Sequence, residues 1–138
     1  MRLTFLGTGT SFGVPQVGCG CAVCRSPDSR DRRTRTGAVI ETDGGTRLLL
    51  DTPPELRLQL LAAGIDRVDA VLYTHDHADH VHGLDDLRAV SVRRDGALPV
   101  YGAADVAADA YTVSGSARRA VKARRSSMPC VWSAWSCV

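Results

Sequence analysis

The sequence predicts a mixed α/β fold in which a strand delivers a metal-binding loop to one end of a sheet. Two observations carry this. Short apolar runs of strand propensity alternate with helix-like segments through residues 1–110. One of these runs, residues 70–73, leads directly into Thr74-His75-Asp76-His77-Ala78-Asp79-His80-Val81-His82-Gly83, which contains all four histidines of the chain. A buried strand ending in such a cluster places it where α/β sheets usually hold their sites. In an extended loop His75 and His77 project to the same side and can grip one ion. Asp79 and His80 follow at a turn and can reach a second ion, about 3.5–4 Å from the first in two-metal hydrolases. Nitrogen and oxygen donors without sulfur suit zinc, manganese or iron.

In chain order, residues 3–6 read as the first strand and residues 7–13, Gly-Thr-Gly-Thr-Ser-Phe-Gly, as a tight turn. A phosphate-cradling loop is the alternative there, but the glycine spacing fits neither common fingerprint and Val14-Pro15 opposes a following helix. Cys19, Cys21 and Cys24 form a C-x-C-x-x-C cluster. Three thiols so close strain any disulfide among them, whereas three thiolates converge readily on one structural zinc. No residue nearby offers a convincing fourth ligand; Cys130 and Cys137 are the remaining thiols. Residues 26–36 are polar and arginine-rich and read as solvated surface, with one arginine holding an anionic substrate as the alternative.

Residues 37–41 and 47–51 form a hairpin through Asp43-Gly44-Gly45. Residues 51–55 open a helix whose inner face is Leu56, Leu60 and Ala63, stopped at Gly64. Asp51 either caps that helix or orients a metal-binding histidine. Residues 83–90 read as a helix with acids in its first turn, 98–102 as a strand and 103–110 as an alanine-rich helix.

Composition bounds the function. The 138 residues suffice for one domain, and no apolar run nears the ~20 residues a membrane span needs. The start of the chain shows no signal-peptide pattern, so a cytoplasmic location is the default and the five cysteines are thiols or ligands. The net charge of +2 hides an asymmetry: all 15 acids lie at or before Asp109, while the tail beyond Tyr111 carries five basic residues and both tryptophans. A basic, aromatic tail admits a nucleic-acid arm. The favoured expectation is that residues 111–138 are an atypical tail, frameshifted or truncated, behind a domain portion spanning residues 1–110.

The segments L-G-T-G-T-S-F-G-V-P, G-C-G-C-A-V-C-R-S, L-L-L-D-T-P-P-E and T-H-D-H-A-D-H-V-H-G-L-D-D-L-R resemble the metallo-β-lactamase-fold hydrolases. Within them they look most like the cyclic-phosphate phosphodiesterases typified by phosphoribosyl 1,2-cyclic phosphate phosphodiesterase. The resemblance covers about residues 1–110 and implies the N-terminal half of an αββα sandwich. It makes His75 and His77 ligands of a first metal, and Asp79 and His80 ligands of a second, Asp79 also serving as the catalytic carboxylate. Cys19, Cys21 and Cys24 become ligands of a structural zinc, Asp51 supports the site, and His82 is at most an outer support. The implied cofactors are two zinc or manganese ions plus that structural zinc. The implied reaction is hydrolysis of a cyclic or small phosphodiester through a metal-bound hydroxide, with neither membrane nor nucleic acid as partner.

This family completes its site with histidines and a bridging aspartate from its second half. This chain has no histidine after His82 and no acid after Asp109. Impaired activity is therefore expected, along with self-association through an uncovered sheet face. A non-catalytic zinc-binding fragment or pseudoenzyme, and a nuclease like the tRNA 3′-processing enzymes, are the alternatives.

Overall fold

The computed structural model describes residues 1–91, 98–103 and 121–125. Strands β1 (Arg2–Gly7), β2 (Gly37–Glu41), β3 (Arg47–Leu50), β4 (Ala70–Leu72), β5 (Leu98–Gly102) and β6 (Val121–Arg125) lie in that order in one sheet. The first three are antiparallel neighbours, and β3 to β6 run parallel. Helices α1 (Leu56–Ala62), α2 (Ala78–Val81) and α3 (Leu87–Ser91) occupy the crossovers.

Alternation along the strands sorts side chains between two faces. Val39, Leu49, Val71 and Val100, aligned by the ladder register, are at most 2% exposed. They share a core with Leu56 and Leu60 of α1 and with Leu84, Leu87 and Val90 around α3. The intervening positions point the other way. Leu3, Phe5, Leu72 and Tyr101 are 51, 66, 36 and 40% exposed, and Ile40, Leu48 and Leu50 are half-buried among them. Among the described residues, one face of the sheet is thus a packed core and the other an open apolar surface.

The hairpin forms where its glycines predict. Gly45 adopts φ +81°, a conformation glycine takes without steric cost, and its amide donates to the Thr42 carbonyl at 2.9 Å. The turn after β1 holds backbone against backbone: Gly9 donates to the Thr34 carbonyl, and Val14 and Arg33 exchange bonds of 2.8 Å. A Cβ at Gly7 would sit 2.1 Å from the Arg35 carbonyl oxygen, so close approach requires glycine there.

Three expectations change. Ala63 is not on the inner face of α1, which ends at Ala62; Ala63 is its exposed C-cap, and the buried residues are Leu56, Gln59 and Leu60. The Gln59 amide donates to Thr34 Oγ1 at 2.9 Å and to the Arg35 carbonyl at 2.8 Å, which repays its burial. The segment after Gly83 begins as a 3-10 turn, Leu84–Asp86, before α3. Within the segment expected to be an atypical tail, where no strand is anticipated, Val121–Arg125 extends the sheet as β6. The helix expected over residues 103–110 lies, beyond Ala103, outside the described residues.

Candidate metal centre

Register brings the ends of several strands together. Gly7 pairs with Gly37, Ala38 with Leu50, and Leu50 with Leu72, so the chain leaves β1, β3 and β4 at one edge of the sheet. Backbone bonds continue the ladder past the strands: Asp51 donates to the Leu72 carbonyl at 3.0 Å and Tyr73 to the Tyr101 carbonyl at 2.8 Å. The histidine loop starts there. Its far end is tied back where the Thr52 amide donates to the His80 carbonyl at 2.7 Å and the Gly83 amide to the Thr52 carbonyl at 2.8 Å. Below it the hydroxyls of Thr52 and Tyr73 lie 2.7 Å apart in the core. Burial pushes the Tyr73 phenol upward, so it stays neutral.

Asp51 is the hub. It is 4% exposed and holds φ +59°, rare for a residue other than glycine. It makes no helix cap, since Glu55 precedes α1 without a capping side-chain bond. Its carboxylate accepts from the Thr74 amide, the Thr74 hydroxyl and His80 Nδ1, each at 2.8 Å. Because the Thr74 hydroxyl gives its proton to Asp51, its oxygen is left to accept from His75 Nδ1 at 2.9 Å. One carboxylate therefore sets the tautomer of two imidazoles and leaves Nε2 of each as a lone-pair donor.

Those donors are grouped but open. The His75 ring centroid lies 4.6 Å from that of His77 and 3.9 Å from that of His80. His80 Nε2 is 3.3 Å from Asp79 Oδ2. Two ligands about 2.1 Å from one tetrahedral ion stand about 3.4 Å apart, so this pair fits a shared zinc. Burial works against the charge on Asp79, yet a hydrogen bond from the Ser11 side chain and the nearby His80 hold the carboxyl below its ordinary range. Burial also opposes a proton on His80, but the bond and charge of Asp51 outweigh it and raise that imidazole. Burial, with the charges of His80 and His77, lowers His75. The exposed ring of His82 makes no hydrogen bond or ion pair with another described residue.

The cysteines form a second cluster of candidate ligands. Among the described residues they are where three candidate ligand atoms all lie within 4.8 Å of one another, near the about 3.8 Å edge of a tetrahedral zinc–thiolate site. The Cys24 amide donates to Cys21 Sγ and the Gln16 amide to Cys24 Sγ, both at 3.4 Å. The Cys24 amide and the neighbouring thiols lower Cys21 to about 7. The Gln16 amide favours the Cys24 thiolate, but desolvation and the neighbouring thiols push that thiol up. Thiolate thus forms at Cys21 before Cys24.

The sequence reading missed Thr74 and Ser11. Thr74 carries the relay from Asp51 to His75, and its position beside the first histidine was the available signal. Ser11 reaches Asp79 from the glycine turn across 68 residues of chain, which no local pattern reveals.

The family description "Beta-lactamase superfamily domain" matches residues 46–133. Over 101 residues the chain is 58% identical to an octanoyltransferase of Porphyromonas gingivalis, covering 73% of this chain and 20% of that protein. Among solved structures it is similar to a diphosphatase of the PhnP family, at TM-score 0.81 and 42% identity, over 90% of this chain and 50% of the other. It is also similar to zinc-bound PqqB from Methylobacterium extorquens, at TM-score 0.77 and 26% identity, over 93% of this chain and 50% of that one. The chain spans half the length of these two structures and a fifth of the octanoyltransferase. A mixed sheet with its histidine loop at one edge, and a family match across most of the sequence, lead to one conclusion: the chain belongs to the beta-lactamase superfamily.

Proposed function

We propose that this chain forms the metal-binding portion of a hydrolase that acts on small phosphoesters, with His75, His77, Asp79 and His80 as ligands of two divalent ions. The observation that carries this reading is the relay from Asp51 through Thr74 to His75 and directly to His80. An outer carboxylate that fixes ring tautomers is how metal-binding histidines are usually held. Divalent ions bound there would supply Lewis acidity, lowering the pKa of water and neutralising phosphate oxygens. The protein's own part is to orient. Asp51 aims His75 and His80, Ser11 steadies the Asp79 carboxylate, and the bonds from Thr52 keep the loop from opening. The likeness to a PhnP-family diphosphatase supports a phosphate-containing substrate. Cys19, Cys21 and Cys24 are assigned to a separate structural zinc, on the approach of their sulfur atoms.

A second reading is a metal-binding module without turnover. It is favoured by the open donor set among the described residues. Hydrolysis of bis(p-nitrophenyl) phosphate by zinc- or manganese-loaded chain separates the two. Turnover above that of free metal, lost in His75→Ala/His77→Ala, supports the hydrolase. Metal bound at the histidine loop without turnover supports the module.

A further inference from the structure

Beside the glycine turn lies a cleft of about 360 Å³, within the range of small-ligand sites. It is lined by Phe12, Val14 and Pro15 of the turn, by Arg32, Arg33 and Thr34, and by Glu55. The turn and the arginine segment are fixed to each other by the paired backbone bonds between Val14 and Arg33. The chain ties this cleft to the metal loop: Phe12 follows Ser11, whose side chain hydrogen-bonds Asp79, and the turn leaves β1 at the end of the sheet from which the histidine loop departs.

Charge in the cleft is unbalanced. Neither Arg32 nor Arg33 has an ion-pair or side-chain hydrogen-bond partner among the described residues, and both are exposed. The neighbouring arginines are already engaged: Arg30 is bound to Asp28 by both carboxylate oxygens, and Arg35 pairs with Glu55 and donates to the Ser11 carbonyl at 2.7 Å. The one acid among the described residues lining the cleft, Glu55, pairs with Arg35 through Oε1, while its Oε2 is buried without a hydrogen-bond partner. Two unspent arginines remain in a cleft also lined by Phe12, which is 65% exposed. Guanidinium forks match phosphate oxygens, and an exposed ring with a proline beside it offers a surface for a planar group.

We propose that this cleft binds the non-reacting part of an organic phosphate substrate, with a phosphate on Arg32 and Arg33 and a planar or apolar group against Phe12 and Pro15. The proposal rests on the phosphoester reading of the neighbouring metal loop, but its binding step is separable from that chemistry.

The test is calorimetric titration of the full, metal-loaded chain with ADP as probe and adenosine as the uncharged comparison. ADP is expected to bind with adenosine at least tenfold weaker. Arg32→Ala/Arg33→Ala should weaken ADP at least tenfold with metal content unchanged, and Phe12→Ala should weaken it less. Arg67→Ala/Arg88→Ala removes the same charge elsewhere and should leave affinity within twofold. Residual ADP binding in His75→Ala/His77→Ala that still depends on Arg32 and Arg33 upholds the cleft even if the hydrolase reading fails. Undiminished ADP binding in Arg32→Ala/Arg33→Ala, equal loss in the distant pair, or no binding at all overturns the proposal whatever the metal loop does.

Discussion

At the scale of single residues, Asp51 does the most. The sequence left two roles open for it, helix cap or support for a histidine, because both begin at a strand end. The deciding partner is His80, 29 positions away. Local pattern picks out residues of metal-binding type, such as the spaced histidines. It does not show which acid stands behind them, since that depends on β3 and β4 lying side by side. Asp51→Asn tests the role cleanly, because asparagine tolerates the left-handed backbone that Asp51 adopts. Losing the carboxylate should lower zinc affinity about 10–100-fold in competition with a chelating dye. It should also reduce stability by about 1–3 kcal/mol in denaturant unfolding, since the donors on Thr74 and half-buried His80 lose a charged acceptor. Unchanged zinc affinity would remove Asp51 from the metal site.

Among the elements, strands were more legible than helices. Apolar runs and the Asp43-Gly44-Gly45 turn placed β1 to β5 to within a residue or two. The inner face of α1 was misjudged at Ala63, because the helix stops a residue earlier and its buried polar residue, Gln59, is satisfied only by the distant segment at Thr34 and Arg35. Strand β6 went unread because Val121-Lys122-Ala123-Arg124-Arg125 lacks the apolar character of the other parallel strands. The histidine loop depends on a tight seam with the start of α1. A Cβ at Gly83 would lie 2.0 Å from the Pro53 carbonyl oxygen and 3.0 Å from Leu56 Cβ. Gly83→Ala must therefore push α2 away from Thr52 and Pro53. A loss of about 1–3 kcal/mol is expected, as for other overpacked sites, with weaker metal binding in parallel. A variant with wild-type stability and metal content would show that the seam yields without disturbing the loop.

For the whole molecule, the sheet's outer face is the main consequence of the architecture. Leu3, Phe5, Leu72 and Tyr101 form an exposed apolar surface beside half-buried Ile40, Leu48 and Leu50, on the side away from the helices. Surfaces of this kind are normally covered. The family resemblance leads one to expect an uncovered face; which side chains lie on it follows from register, and only the pairing of strands supplies that. We propose that isolated chains associate through this face. Light scattering should show mass rising with concentration, and Phe5→Lys should shift the chain toward monomer while leaving the core side of the sheet intact. Equal association by wild type and Phe5→Lys would place the contact elsewhere.

The central claim is that the loop from His75 to His80 is a metal site distinct from the cysteines. Elemental analysis of the full chain refolded with zinc tests it most directly, comparing wild type with His75→Ala/His77→Ala. The account predicts more than one zinc per wild-type chain and, in the double variant, only the ion retained by Cys19, Cys21 and Cys24. Identical zinc content in the two proteins would contradict it.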